Sequence, residues 1–443
     1  MAMARQVKES FILLKTSNKL GAIKKIVVVV DSIDVNDSSG SKANVALILN
    51  LKKAGFEVKV FHYTQQEIHL SGIECVAIPE RKTNVMFLLS RLERIFTRWT
   101  GINLNPFLEG FFGFSFTFFN DVVSIKKALL KESDFNPDLI ITLSKGASFR
   151  PHYALLKLTK WHSKWMAYVH DPYPYHFYPR PYNWIQPGYK QKEQFFRAVS
   201  EKAKYAAFPS LLLQEWMGSY FPNFIQTGLV IPHQNAHFEV KAFDITRYFD
   251  VSKFNLLHAG NLMKQRSPEG LIQGFQLFLK KNPEAKENAR LLLIGSASYH
   301  KEMLTAYQKN SPELYVCLDN KPFDEVQFLQ NNATVNIILE SKSEISPFLP
   351  GKFPHCVEAN QPIFLLGPHF SETKRLLGKN YPYIAEVDDV EKIADIIHNL
   401  YNIWLKNPCK FHLNRPDLEH YVSPVYLKEV LSNLYLLNTN KFI

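Results

Sequence analysis

The sequence predicts an α/β protein of two successive doubly wound domains, each a parallel sheet with helices on both faces. Three observations predict it. Short, mainly apolar runs recur along the chain, the first of them apolar at every position, which is how strands buried on both faces read. Helix-length stretches separate these runs, as in repeated strand–helix–strand units. The series breaks once, over Gly228–Ser252, where Pro232 stands among few periodic apolar positions, and then resumes.

The first unit opens with Ile26–Val30 and continues through a polar turn, Asp31–Ser41, into a helix with Val45, Ile48 and Leu49 on one face. That helix closes at Gly55, and Val58–His62 is the second strand. Cys75–Pro79, Leu139–Leu143, Trp165–His170 and Ala206–Pro209 supply further strands of a first sheet. Between them, Phe87–Trp99 carries Arg91, Arg94 and Arg98 at helical spacing beside Leu88, Leu92, Ile95 and Trp99; Phe111, Phe112, Phe114, Phe116, Phe118 and Phe119 follow. Two readings of this region stand side by side: a basic amphipathic helix in a membrane interface, or a core helix with a solvated basic face. The second sheet takes Asn255–Ala259, Leu291–Gly295, Leu314–Leu318, Thr334–Leu339 and Pro362–Leu366. Ser423 and Pro424 start a last helix whose Leu427, Val430, Leu431 and Leu434 share a face that packs back on the first domain. The expected division is 1–235, 236–415 and 416–443, with the hinge over Gly228–Ser252.

A length of 443 residues exceeds what one hydrophobic core supports, and 46% hydrophobic with 21% charged residues is a globular balance. The longest apolar run near the N-terminus is Ile26–Val30, whereas a signal peptide needs a longer core and a membrane span about 20 residues. A cytoplasmic chain is therefore expected. Cys75, Cys317, Cys356 and Cys409 lack the paired spacing of a zinc site or a disulfide framework, so reduced thiols and no metal centre are expected. The net charge of +11 suits a phosphorylated ligand or an anionic membrane surface. Without a zinc-knuckle, RNA-binding or basic-zipper pattern, nucleic acid is not an expected partner.

Ligands of open α/β sheets bind beyond the carboxyl ends of the strands, so residues just after each strand are the candidates. His258–Leu262 leads to Lys264 and Arg266 and then to Ser267-Pro268-Glu269, which open a helix with Leu271, Phe275 and Phe278 on its apolar face. A capped helix start beside a fixed cation suits a diphosphate, although a routinely capped surface helix reads the same way. Ser296 stands just after Leu291–Gly295. Glu344–Lys352 holds a Pro350-Gly351 turn that delivers Lys352 to a second helix start, with Ser346, Glu344 and Glu358 as polar neighbours. Carboxylates there accept hydrogen bonds from ribose or sugar hydroxyls; a solvated charge is the plain alternative for Glu358. In the first half, His170-Asp171 closes a strand ahead of a Pro- and Tyr-rich loop, where an imidazole can contact a sugar or assist proton transfer.

Taken in order, these clusters resemble the group-one, glycogen-synthase-like retaining glycosyltransferases of the GT-B fold, over most of the chain. Ser38-Ser39-Gly40-Ser41 is similar to that family's Gly-rich loop after the first strand, His170 to its strand-end histidine, and Phe208-Pro209-Ser210 to its helix-leading Pro-Ser. Its donor motif of Gly-Arg-Leu, three residues and Lys is matched by Gly260-Asn261-Leu262, Met263 to Gln265, and Arg266, with Asn261 replacing the first cation. Where a variant branch has its ribose-binding Glu the chain has His355, and where the partner Glu stands it has Pro347; Glu344 and Glu358 are nearby substitutes.

The resemblance implies two Rossmann-like domains facing across a cleft and transfer of a sugar from a nucleoside diphosphate sugar, with no further cofactor and no metal. The acceptor is a sugar or a lipid-linked hydroxyl, in cell-surface polysaccharide or glycolipid synthesis, and an anionic membrane face is a candidate partner. The implied roles are catalytic for His170, Arg266 and Lys352 and donor-binding for Gly260, Asn261, Lys264, Ser296, Glu344, Ser346, His355 and Glu358. Ser39, Gly40, Ser41 and Asp171 fall on the acceptor side. Two alternatives stay open: a non-catalytic nucleotide-sugar-binding relative that has lost the motif glutamates, and a nucleotide-sugar epimerase working through His170, His355 and Glu358.

Overall fold

A computed structural model describes residues 23–132, 134–235, 245, 247–407 and 411–434. The first sheet comprises β1 (Lys25–Val30), β2 (Glu57–His62), β3 (Glu74–Ala77), β4 (Leu139–Leu143), β5 (Trp165–Tyr168), β6 (Tyr205–Phe208) and β7 (Gly228–Val230), all parallel, in the order β3-β2-β1-β4-β5-β6-β7. The second comprises β8 (Phe254–Ala259), β9 (Ala289–Ile294), β10 (Leu314–Cys317), β11 (Val335–Leu339), β13 (Ile363–Leu366) and β15 (Ile384–Ala385), also parallel, ordered β10-β9-β8-β11-β13-β15. A short parallel pair, β12 (Ile345–Ser346) with β14 (Phe370–Ser371), lies beside it. Counted within each sheet, the first six strands of both follow the Rossmann order 3-2-1-4-5-6. The strand order therefore reverses between β1 and β4 in one sheet and between β8 and β11 in the other.

Both sheets are covered on both faces, which is why most of their strand residues are apolar. In β1, Val27 and Val29 join a core with Ile140 and Phe196, while Ile26, Val28 and Val30 join the opposite core with Leu139 and Ile141. The second sheet alternates likewise, with Leu291 and Leu293 on one side and Leu292 and Ile294 on the other.

Most strands fall within a residue or two of the sequence reading. Four were not anticipated: β7, β12, β14 and β15. β7 occupies the start of the expected hinge and completes the first sheet, while residues 236–244 and 246 of that hinge lie outside the described residues. Near the C-terminus the helix Pro416–Tyr421 stays with the second sheet, its Leu418 packed with Ile338 and Phe353. The helix Pro424–Ser432, capped by the Ser423 hydroxyl, returns to the first core through Leu427 and Leu431, where Val45, Ile48 and Leu51 meet it. Burying each such leucine is worth roughly 1.5–3 kcal/mol.

The helix Val85–Thr100 contradicts the core-helix reading. Its buried residues are Ser90 and Glu93, while Leu88, Leu92, Ile95 and Trp99 face outward.

Candidate active site

At the end of β8 the chain turns through Gly260, whose φ of +152° is a conformation that side-chain-bearing residues avoid. A Cβ there would also stand 3.2 Å from the Lys352 Nζ, so the glycine makes room for the lysine. Lys352 Nζ reaches the ring of the fully buried His258, 3.1 Å from Nδ1 and 3.4 Å from Nε2. Burial pulls the Lys352 ammonium down to about 7, and the Arg266 guanidinium adds to the depression. His258 is held well below its ordinary value by burial and then by Lys352 and Arg266, so it is neutral and accepts from the lysine. Arg266 donates to the Asn261 carbonyl at 3.3 Å, and its Nε is buried with no hydrogen-bond partner.

Glu340 follows β11 directly, across the reversal point from Gly260, and is 3% exposed. Oε1 accepts from Ser371 Oγ at 3.0 Å and Thr373 Oγ1 at 2.8 Å, while Oε2 is buried and takes no full hydrogen bond. Burial pushes its carboxyl up to about 7, against the opposing pull of the Thr373, Ser371 and Ser346 hydroxyls and of Arg266. Arg266 thus acts electrostatically on Lys352, His258 and Glu340 together, which makes one cluster of the four. Sequence reasoning missed Glu340, although an acid placed immediately after an apolar strand was the available signal. It chose Glu344, which is exposed, and Glu358, half-buried as the last residue of the helix Phe353–Glu358.

Other expected donor-side residues divide by position. Ser346 is buried in β12, on the Glu340 side. Ser296 uses its backbone: its carbonyl accepts from Leu262 N at 2.8 Å and fixes the Gly260 loop. Asn261 and Lys264 are exposed in that loop. His355 lies half-buried with its ring 5.1 Å from that of Phe323. Two helix starts differ from expectation. Pro268, not Ser267, is the cap residue of the helix Glu269–Lys281, and Ser267 Oγ accepts from Glu269 N at 3.3 Å. The helix that Lys352 precedes has only six residues, so Lys352 offers a side-chain charge there and little helix dipole.

On the first sheet, His170 follows β5. Asn44 donates through Nδ2 to the Ser144 carbonyl at 3.0 Å, so its Oδ1 is the acceptor for His170 Nε2 at 2.9 Å. The proton therefore sits on Nε2 and leaves Nδ1 as an acceptor. Burial, with His233 and His152 nearby, holds His170 well below its ordinary value, which favours a neutral hydrogen-bonding imidazole over a proton carrier. Burial lifts its neighbour Asp171 to about 6. Ser38 caps the helix Ser39–Lys53 by accepting from Ser41 N at 3.1 Å, and the buried Ser41 hydroxyl lies 3.0 Å from Ser38 Oγ. Ser39 is exposed, and Gly40 lies 3.6 Å from the Gly146 amide when given a notional Cβ.

The two sheet ends touch. Tyr182 OH lies 2.7 Å from Ser341 Oγ, beside Glu340 in the chain, and Lys42 Nζ stands 5.4 Å from the centre of the Phe323 ring. Among the described residues, no group of three or more His, Cys, Asp or Glu is placed to hold a metal, and no helix is long and apolar enough to cross a membrane.

No family model and no curated protein matches the chain. Solved structures do. A glycosyltransferase from Rickettsia africae aligns over 94% of this chain and 99% of its own, with 13% identity and a TM-score of 0.58. A trehalose-6-phosphate synthase aligns over 95% and 99%, with 12% identity and a TM-score of 0.62. The Burkholderia xenovorans α,α-trehalose-phosphate synthase (UDP-forming), solved with glucose-6-phosphate, aligns over 93% and 100%, with 9% identity and a TM-score of 0.60. Alignment along nearly the full length of both partners, at two Rossmann-ordered sheets meeting end to end, gives this chain the GT-B fold of those transferases.

Proposed function

We propose that the chain is a glycosyltransferase that takes a hexose from a nucleoside diphosphate sugar held at the end of the second sheet. In this reading residues 236–415 bind the donor, residues 1–235 the acceptor, and 416–443 tie the two. The observation that carries it is the cluster of Arg266, Lys352, His258 and Glu340 at the β8/β11 reversal, where two buried polar atoms, Arg266 Nε and Glu340 Oε2, have no hydrogen-bond partner. Buried polar groups are rarely left so, and a ligand with both anionic and hydroxyl groups satisfies both atoms. A similar solved structure from E. coli was determined bound with UDP-2-fluoro glucose, a ligand of this kind.

The chemistry follows from charge. As the sugar–phosphate bond breaks, negative charge gathers on the departing diphosphate, and cations already in place lower that barrier without solvent reorganisation. Arg266 supplies a fixed charge. Lys352, depressed to about 7, regains its proton beside an arriving anion and so adds charge when the ligand is present. Glu340, protonated below about 7, can donate to a hydroxyl oxygen as well as accept. This scheme takes no metal. On the opposite wall, Nδ1 of His170 can accept from an acceptor hydroxyl and orient it. The acceptor is a sugar or lipid-linked hydroxyl, at the cytoplasmic face of a membrane.

Thermal unfolding against a panel of nucleoside diphosphates and nucleotide sugars tests the donor site, since a ligand selective for the folded state raises Tm. One nucleotide family should raise the Tm of the wild type and fail to raise that of Arg266→Ala. If no member of the panel shifts the wild type, the donor reading falls.

A further inference from the structure

The helix Val85–Thr100 is folded inside out. Trp99 is 85% exposed, Leu88 58% and Leu92 53%, whereas Ser90 is 1% and Glu93 9%. At roughly 100° per residue, Val85, Leu88, Leu92, Ile95, Phe96 and Trp99 share an arc of about 100°, and Arg91, Arg94 and Arg98 fill an adjoining arc of about 60°. Polar contacts hold the opposite face down. Asn84 caps the helix through Phe87 N at 3.0 Å and donates to Asn120 Oδ1 of the helix Phe116–Lys131 at 2.7 Å, and Glu93, turned to the buried side, accepts from Thr97 of its own helix at 3.1 Å.

The next helix, Asn105–Phe112, buries none of its residues and exposes Phe107, Phe111 and Phe112. It is nevertheless firmly seated. Lys192 Nζ pairs with Glu109 at 2.7 Å, and Gln191 donates to the Gly110 and Phe111 carbonyls at 3.1 Å each. Gly188 packs so tightly that a Cβ would lie 2.0 Å from the Glu109 carbonyl oxygen. An apolar surface carried on a fixed backbone, with its polar side turned inward, is a built surface and not a frayed one.

We propose that these two helices form a docking face for an anionic lipid bilayer. The aromatic and aliphatic stripe enters the acyl boundary, with Trp99 at the headgroup level, and the arginine shoulder meets the lipid phosphates. Charge complementarity selects this occupant: a stripe bordered by three arginines, on a chain of net charge +11, faces the negative side of a membrane. The face adjoins the cleft, because the loop that receives Asn105–Phe112 at Gly188 also carries Tyr182, whose hydroxyl meets Ser341. Docking holds that mouth of the cleft close to the bilayer surface.

Flotation of the full chain with phosphatidylglycerol-rich and with pure phosphatidylcholine vesicles tests it. The wild type should float with the anionic vesicles and be released by salt, and brominated acyl chains should quench a part of its emission that Trp99→Phe lacks. Arg91→Glu with Arg98→Glu should weaken binding at least about tenfold, since each arginine near a charged surface is worth about 1 kcal/mol. Arg94 is left in place because it bonds to Ser90. Unchanged Tm and unchanged nucleotide-induced stabilisation in the double variant separate a failure here from a failure of the donor site. Absence of vesicle binding overturns the proposal. So does a wild type that is dimeric in solution and becomes monomeric on Leu92→Glu, since the face would then belong to a second copy of the chain.

Discussion

Glu340 is a buried acid whose proton matters to stability. Its carboxyl is pushed from the ordinary 4.5 up to about 7, so in the window between them the folded chain keeps a proton that the unfolded chain has lost. The stabilisation tied to that proton is fully present below about 4.5 and is lost as the pH rises through about 7. Glu340→Gln keeps the shape and removes the titration. The Tm of the wild type should therefore fall relative to that of Glu340→Gln between pH 4.5 and about 7, and a flat difference across that window refutes the buried-acid assignment. Lys352 acts in the opposite sense above neutrality: its depressed value costs stability below about 7, and the cost is relieved as the pH rises toward 10.5. Arg266 and Lys352 were legible because each follows a strand or a Pro-Gly turn. Glu340 was not singled out, because what makes it special is long-range. Ser371 and Thr373 arrive through the β12–β14 pair, and two-residue strands leave no periodic signal.

At the scale of elements, the Gly260 loop rests on the loop after β9. Gly260 N donates to the Ile294 carbonyl and Leu262 N to the Ser296 carbonyl, each at 2.8 Å. Gly295 closes this contact with a φ of +131°, and a Cβ on it would lie 2.7 Å from the Gly260 carbonyl oxygen. Gly295→Ala should cost about 1–3 kcal/mol in backbone strain and push Gly260, and with it Lys352, out of position. Gly351→Ala is the control, since a Cβ there meets nothing within 4 Å. Differential scanning calorimetry and nucleotide titration should show both losses in the first variant and neither in the second; equal behaviour would refute the loop-on-loop account. The long strands of both sheets were legible because apolar runs buried on two faces are unambiguous in this spacing. The orientation of Val85–Thr100 was not. A helical pattern shows that one face is apolar, but the same pattern serves a face turned inward and one turned outward, and the partner that seats the start of this helix, Asn120 bonded to Asn84, stands far along the chain.

The whole molecule is closed by one turn of the first half, Phe208-Pro209-Ser210, and one acid of the second, Glu372. Ser210 Oγ accepts from Leu213 N at 3.0 Å to cap the helix Leu211–Tyr220, and its own proton goes to the Pro347 carbonyl across the cleft. Glu372, fully buried, accepts from Leu211 N and Leu212 N at 3.3 Å each and from Arg375 at 2.7 and 3.0 Å. A carboxylate from one half thus occupies the positive end of a helix of the other, where backbone amides are free. Its removal leaves two amides and a guanidinium without that acceptor. Hydrogen bonds to a charged group are each worth about 1.5–3 kcal/mol, so Glu372→Ala should lose on the order of 3 kcal/mol after partial rehydration. Because the contacts join the two halves, the loss should appear first as opening. Small-angle scattering should show a larger radius of gyration, and nucleotide-induced stabilisation should persist, since Arg266 and Lys352 are untouched. A double-mutant cycle with Ser210→Ala should give a coupling above about 0.5 kcal/mol, as expected of neighbours on one helix end. If Glu372→Ala lowers Tm with no change in scattering and no coupling to Ser210, Glu372 stabilises only its own half, and the closure of the cleft must rest on Tyr182 and Ser341 instead.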